Sequence, residues 1–179
     1  MATTASPTPA QMPAVISPKE QFLAAFEQEH ATTMRVLRAY PADKSELQPH
    51  PKSKSARDLA FTFVLEMAFV ERALTAGFDW SQPPAFPETP PSLEAIIDAF
   101  EQGHKRVADI IAGLRDDQLF ETVKFFVAPK TIGDVPKIQF MWMNLCDQIH
   151  HRGQLSVYLR MAEGKVPSIY GPTADEPWM

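Results

Sequence analysis

Residues 137–166, KIQFMWMNLCDQIHHRGQLSVYLRMAEGKV, run for thirty residues without a proline. Proline has no amide N–H and clashes with the preceding helical turn, so an uninterrupted stretch of this length has room for a helix of many turns. Phe140, Met143, Leu155 and Tyr158 recur along it at helical spacing, and Asn144, Asp147 and His151 share their stripe. Outward from this window, the 17 prolines of the chain fall in clumps that leave three more free windows, 19–40, 52–82 and 92–128. Each holds three helical turns or more, and together they predict an all-α protein, a four-helix bundle.

Start and stop signals agree with the windows. Ser17-Pro18-Lys19-Glu20 offers a cap, a proline at the first helical position and a glutamate to close a capping box. Ser55-Ala56-Arg57-Asp58 is a weaker box, Ser92 can cap a third helix, and Asp134 ahead of Val135-Pro136 can cap a fourth. Gly77 and Gly164 stand where the second and fourth helices should stop. Helices are therefore expected near 18–40, 55–76, 92–115 and 134–163. Phe22, Phe26, Met34 and Leu37 in the first and Leu93, Ile96, Ile97, Phe100, Val107, Ile110, Ile111 and Leu114 in the third mark core faces.

Between the helices lie long proline-rich connections. Residues 78–91, with five prolines, read as a stiff crossover, Glu121 to Val127 as a short extended segment or hairpin arm, and Val166 to Met179 as an extended tail along the bundle. Met1 to Ile16 lacks periodicity and is expected to be a flexible N-terminal tail, leaving residues 17–179 as one domain.

Composition narrows the function. Of 179 residues, 17 are Lys or Arg and 22 are Asp or Glu, and the net charge of −5 has the wrong sign for tracking a phosphate backbone, so no nucleic acid partner is expected. The single cysteine and the lack of a cationic, then apolar, N-terminus predict a cytoplasmic protein. The longest nearly apolar run, Leu59 to Val70, is too short for a membrane span. No two glycines are two apart, which excludes dinucleotide fingerprints and Gly-rich phosphate loops.

That same run holds two polar side chains, Thr62 and Glu66, four apart and so stacked on one helix face. A carboxylate in apolar surroundings must find a cation, a metal, a hydrogen-bond partner or a proton. Asp147 and His151, also four apart, can converge on it. Two carboxylates and an imidazole from two helices suit a divalent metal with open positions for water. The alternative is that Glu66 or Asp147 pairs with His151 or Arg152, which satisfies burial without an ion. His150 points about 100° away from His151 and is expected at the rim or surface. His30, His50 and His104 show no ligand spacing and read as surface or cap groups, and Cys146 as core filling.

His150-His151-Arg152-Gly153-Gln154-Leu155, followed by Tyr158-Leu159-Arg160 and by Val166-Pro167-Ser168-Ile169-Tyr170-Gly171-Pro172, resembles the DinB family, the DinB/YfiT-like metalloenzymes. The resemblance implies a four-helix bundle, often a homodimer, with nickel or zinc held by three histidines, one on the second helix and two four apart on the fourth. Aligned on the His-Arg-Gly-Gln motif, the last ligand is His151, the one before it falls on Asp147, and the helix-two ligand falls on Thr62. Two of the three positions depart from the pattern, and Glu66, one turn along from Thr62, is the substitute. Carboxylate ligands favour harder ions such as Mn²⁺. The implied activity is that of a metal-dependent transferase or hydrolase, of which thiol-dependent transferases are one type. The competing reading is a metal-free member that binds a small-molecule ligand in a pocket lined by Phe61, Phe63, Trp142 and Tyr158, or serves as a dimeric interaction module.

Overall fold

The structure is a computed structural model that describes residues 16–82, 85 and 87–179. The tail expected over residues 1–16 lies, Ile16 apart, outside the described residues. Four helices, α1 (Pro18–Ala39), α2 (Ala56–Leu74), α3 (Leu93–Gly113) and α4 (Lys137–Met161), form a bundle, and an antiparallel hairpin of β1 (Thr122–Ala128) and β2 (Thr131–Pro136) precedes α4. The arm expected at 121–127 is β1. Both α1 and α2 pack on α3 and on α4, so the order around the bundle is α1, α3, α2, α4. This arrangement makes α2 and α4 neighbours. Phe22, Phe26 and Leu37 of α1 meet Phe63 and Met67 of α2, Ile96, Phe100 and Ile111 of α3, and Phe140, Leu155 and Leu159 of α4 in one buried core.

The caps form as their residue types dictate. Ser17 Oγ accepts from the Glu20 N–H and Glu20 Oε2 from the Ser17 N–H, at 3.2 and 2.8 Å. Ser55 and Ser92 each accept from the N–H three residues on. At α4 the expectation fails. Asp134 is in β2, where Lys124 Nζ across the hairpin donates to it at 2.7 Å, and the helix starts at Lys137, without a side-chain cap. A carboxylate facing a lysine across a strand pair is already partnered, and the first free N–H of the helix, on Lys137, donates to the Glu121 carbonyl instead, at 2.9 Å. The stops differ as well. Gly77 takes a left-handed φ of +70°, as a helix-ending glycine should, but beyond α4 it is Glu163 that has positive φ, at 61°. Gly164 still takes part in the stop, its N–H donating to the Leu159 carbonyl at 2.9 Å, and a Cβ there would fall 2.2 Å from Leu159 Cδ1.

The hairpin is fastened to the bundle by its alternation. Val123 and Val135 pair directly and are both buried, while Phe125 meets Phe140 edge-on with ring centroids 4.8 Å apart. Trp80, from the proline-rich crossover, donates its indole N–H to the Lys124 carbonyl at 2.8 Å.

Two buried polar groups join α1 to the rest. Arg152, 1% exposed, pairs with Glu29 Oε2 at 2.6 Å, donates to the Glu29 carbonyl and Thr33 Oγ1, and lies beneath Tyr170 of the C-terminal tail, whose hydroxyl donates to Glu29 Oε2 at 2.7 Å. His104 of α3 is buried and His30 of α1 half-buried, their rings stacked 3.7 Å apart, which corrects the surface or cap role expected for them. Each is brought inward by aromatic neighbours, Phe26 against His104 and Phe100 against His30. His50 is exposed, as expected.

Two outcomes follow. Arg152→Met strands Glu29 and should cost about 3–5 kcal/mol in urea denaturation. Burial first, and then the charges of His104 and Arg38, push His30 down to about 4, and burial lowers His104 against the pull of Glu27. Both imidazoles are neutral in the fold, so their contribution is complete above about 6.5 and is lost as pH falls toward 4. His30→Phe should flatten that acid-side loss of the urea midpoint.

Candidate metal centre

The α2 register fixes one half of the site. Thr62 and Glu66 sit on the face turned to α4, 8% and 4% exposed. Thr62 Oγ1 donates back to the Asp58 carbonyl at 3.1 Å and accepts from Lys54 Nζ at 2.7 Å. Glu66 Oε1 lies 2.8 Å from His151 Nδ1, and its second oxygen, Oε2, is buried without a hydrogen-bond partner. The α4 register supplies the other half. Asp147 Oδ1 stands 3.9 Å from the same Nδ1, on a side chain open to solvent. One ligand atom from each of Glu66, Asp147 and His151 can be chosen so that all lie within 4.8 Å of one another.

The triad named from spacing is therefore brought together. The pairing alternative is realised too: Glu66 bonds His151, while Arg152 turns away to Glu29. Successive residues on a helix point about 100° apart, so His151 and Arg152 cannot serve the same neighbour.

Burial pushes Glu66 up to about 7, against the hydrogen bond from His151, which pulls it down. The same hydrogen bond raises His151 above its ordinary value. Both groups of the pair thus hold a proton more tightly than they would in water. A divalent ion bound at these atoms would displace that proton, because metal and proton need the same lone pairs. The orphaned Oε2 and the two further donors fit a hard or borderline ion, with carboxylate and imidazole ligands suited to Mn²⁺ or Zn²⁺. Thr62, whose hydroxyl is committed to Lys54, contributes no ligand.

The triad borders two cavities. The larger, about 610 Å³, is walled by Leu65, Phe69, Phe125, Met143 and Cys146 around Thr62, Glu66, Asn144, Asp147 and His150. The second, about 460 Å³, lies on the other side of His151, among Lys54, Gln154 and Tyr158. Of the expected pocket residues only Tyr158 lines either space. Phe63 is in the core against Phe100 and Trp142 packs edge-on against Phe22. Phe61 and Phe63 flank Thr62 in sequence and so point about 100° to either side of it. Cys146, expected in the core, is exposed and lines the larger cavity. The set Met143, Cys146, Asp147 and His150, spaced i, i+3, i+4 and i+7, carried that signal. Nothing in the sequence pointed to Lys54, which reaches the site from a loop.

A helical bundle with an inserted hairpin and a carboxylate–imidazole cluster between its second and fourth helices is the class of protein this geometry defines. The chain matches the DinB family over residues 8–178 and belongs to it. Its fold is similar to that of a DinB-like protein from Bacillus cereus, at 21% identity and a TM-score of 0.71, covering 84% of this chain and 97% of that one. It also resembles a DinB-like protein from Bacillus subtilis, with 17% identity, a TM-score of 0.64 and coverage of 89% and 99%. A conserved protein from Enterococcus faecalis follows, with 13% identity, a TM-score of 0.60 and coverage of 83% and 99%. No functionally curated protein matches. Among the described residues no helix is long and apolar enough to cross a membrane.

Because Glu66 and His151 both hold protons more tightly in the fold than in the unfolded chain, their contribution is complete at low pH. It is lost as pH rises through about 7 for Glu66, and through a raised value for His151. In chelator-treated protein, Glu66→Gln should remove a fall in stability on the order of 1 kcal/mol between pH 5 and 8, read as the urea midpoint.

Proposed function

We propose that this protein is a divalent-metal-dependent enzyme of the transferase or hydrolase type, with Glu66, Asp147 and His151 as its ligands. The observation that carries the reading is Glu66 Oε2, a buried carboxylate oxygen with no partner, in a group of three donors within 4.8 Å that opens on a cavity. Native structures seldom leave such an atom unpaired. When bound, an Mn²⁺, Zn²⁺ or Ni²⁺ ion would act as a Lewis acid that lowers the pKa of a thiol or water.

The chain's own residues divide the remaining work. Glu66 and His151 present the ligand atoms from inside the bundle, and Asp147 presents one from its edge. Leu65, Phe69 and Phe125 exclude water from one side of the site and accept the apolar part of a small molecule. The family's thiol-dependent transferases make a thiol the first substrate class to screen.

One observation favours a second reading. Glu66 already has a hydrogen bond from His151, and Lys54 places an ammonium on Thr62, the position at which the family resemblance puts a metal ligand. A metal-free binding module, or a homodimeric interaction module, would need nothing more than this.

Elemental analysis of untagged protein purified without chelator separates the two. Near-stoichiometric metal in the wild type, lost in His151→Ala and in Glu66→Gln, is the expected result. Saturating Mn²⁺, Zn²⁺ or Ni²⁺ at about a hundred times Kd should raise the Tm by about 5–10 °C. No metal in any of the proteins and no shift with any of the three ions would leave the metal-free reading standing.

A further inference from the structure

Lys54 takes no part in ligating the ion, yet three features hold its ammonium at the site. Its loop is tied down: the Gln48 side chain donates to the Ser53 carbonyl, the Ala56 N–H to the Leu47 carbonyl, and the Tyr158 hydroxyl to the carbonyl of Lys54 itself, at 3.2 Å. Its Nζ rests on Thr62 Oγ1 at 2.7 Å, and its charge acts on both Glu66 and His151. Lys54 is exposed, and its one side-chain bond among the described residues is to Thr62, so two of its three N–H donors are left without a protein acceptor. The cavity of about 460 Å³ that Lys54 lines also receives His151, Gln154 and Tyr158.

We propose that this second cavity is an anion subsite, in which Lys54 receives the carboxylate of a small substrate beside the Glu66–Asp147–His151 centre. A cation held by a neutral hydroxyl rather than by an acid keeps its charge available to a ligand. One lysine matches one negative charge. The N-terminus of α2 nearby is closed by Ser55 Oγ and carries Asp58 in its first turn, so no helix end is free to support the second charge of a phosphate. A monocarboxylate is therefore the class that fits. The subsite rests on the metal reading only for its strength, since a bound divalent ion would offset negative charge on Glu66 and Asp147, while Lys54 and the cavity are there without it. It goes further by naming what sits beside the ion, and where.

Butyrate and butyramide, alike in shape and different in charge, test it by calorimetry on the full chain loaded with Mn²⁺, with metal content measured in parallel. Wild type is expected to bind butyrate at least tenfold more tightly than butyramide. Lys54→Met, loaded to the same metal content, should abolish that preference, and Lys54→Arg should keep most of it. A preference that survives in Lys54→Met would put the carboxylate on the ion itself and overturn the proposal, as would a wild type that binds both compounds equally. If the wild type takes up no ion, the metal reading falls alone. The same comparison on the ion-free chain then decides the subsite: a butyrate preference removed by Lys54→Met upholds it, and equal binding overturns it.

Discussion

Arg152 sits at the contact of α4 with α1, 1% exposed, with its guanidinium spent on Glu29, Thr33 and Tyr170. A buried guanidinium without acceptors is so costly that this contact admits little rotation of α4 about its own axis. The neighbouring residue, His151, must then point about 100° away, and in a bundle ordered α1, α3, α2, α4 that direction faces α2. One buried ion pair on the far side of the helix thus aims the imidazole at Glu66. It also anchors the tail, because Tyr170 closes over the same guanidinium.

What meets His151 is a carboxylate that cannot remain both charged and alone. Glu66 belongs to a helix whose surroundings are almost wholly apolar, and burial drives it toward the protonated form until a partner intervenes. Three positive partners compete for this spot: the proton shared with His151, the ammonium of Lys54 held on Thr62, and a divalent ion. They differ in what they ask of the site. The proton satisfies one oxygen of Glu66 and leaves Oε2 bare, Lys54 stays on the hydroxyl, and an ion alone would draw on Asp147 as well. The two histidine sites of the molecule also oppose one another in pH. His30 and His104 stabilise the fold toward neutral pH and the Glu66–His151 pair toward acid, because burial outweighs the pull of Glu27 on His104, while the hydrogen bond from Glu66 outweighs burial at His151.

Membership of the DinB family and likeness to DinB-like structures establish the bundle, and at 13–21% identity that likeness extends to the fold alone. The site has to be read from this chain's own side chains. There the three positions that the resemblance gives to histidines carry Thr62, Asp147 and His151, and the group that could hold an ion is Glu66, Asp147 and His151, with the Thr62 hydroxyl bonded to Lys54. Such a change of donor set alters which ions the site can hold far more than it alters the packing around it.

The four helices were legible because proline's missing N–H is a local fact, and their caps at Ser17, Ser55 and Ser92 because a hydroxyl three residues before a free amide is another. The pairs Thr62–Glu66 and Asp147–His151 were legible for the same reason, since a spacing of four fixes a shared helix face whatever surrounds it. Most of the failures involve partners distant in sequence. Asp134 left its cap for Lys124 across a hairpin, His30 and His104 met only when α1 packed on α3, and Phe63 and Trp142 turned to the core and to Phe22 instead of the cavity. Sequence by itself determined the elements and the faces they present, because both depend on bonds and spacings within a few residues. Tertiary structure alone decided that α2 lies beside α4, that Lys54 reaches Thr62 and that Glu66 Oε2 goes without a partner, because each depends on which face of one helix is laid against another.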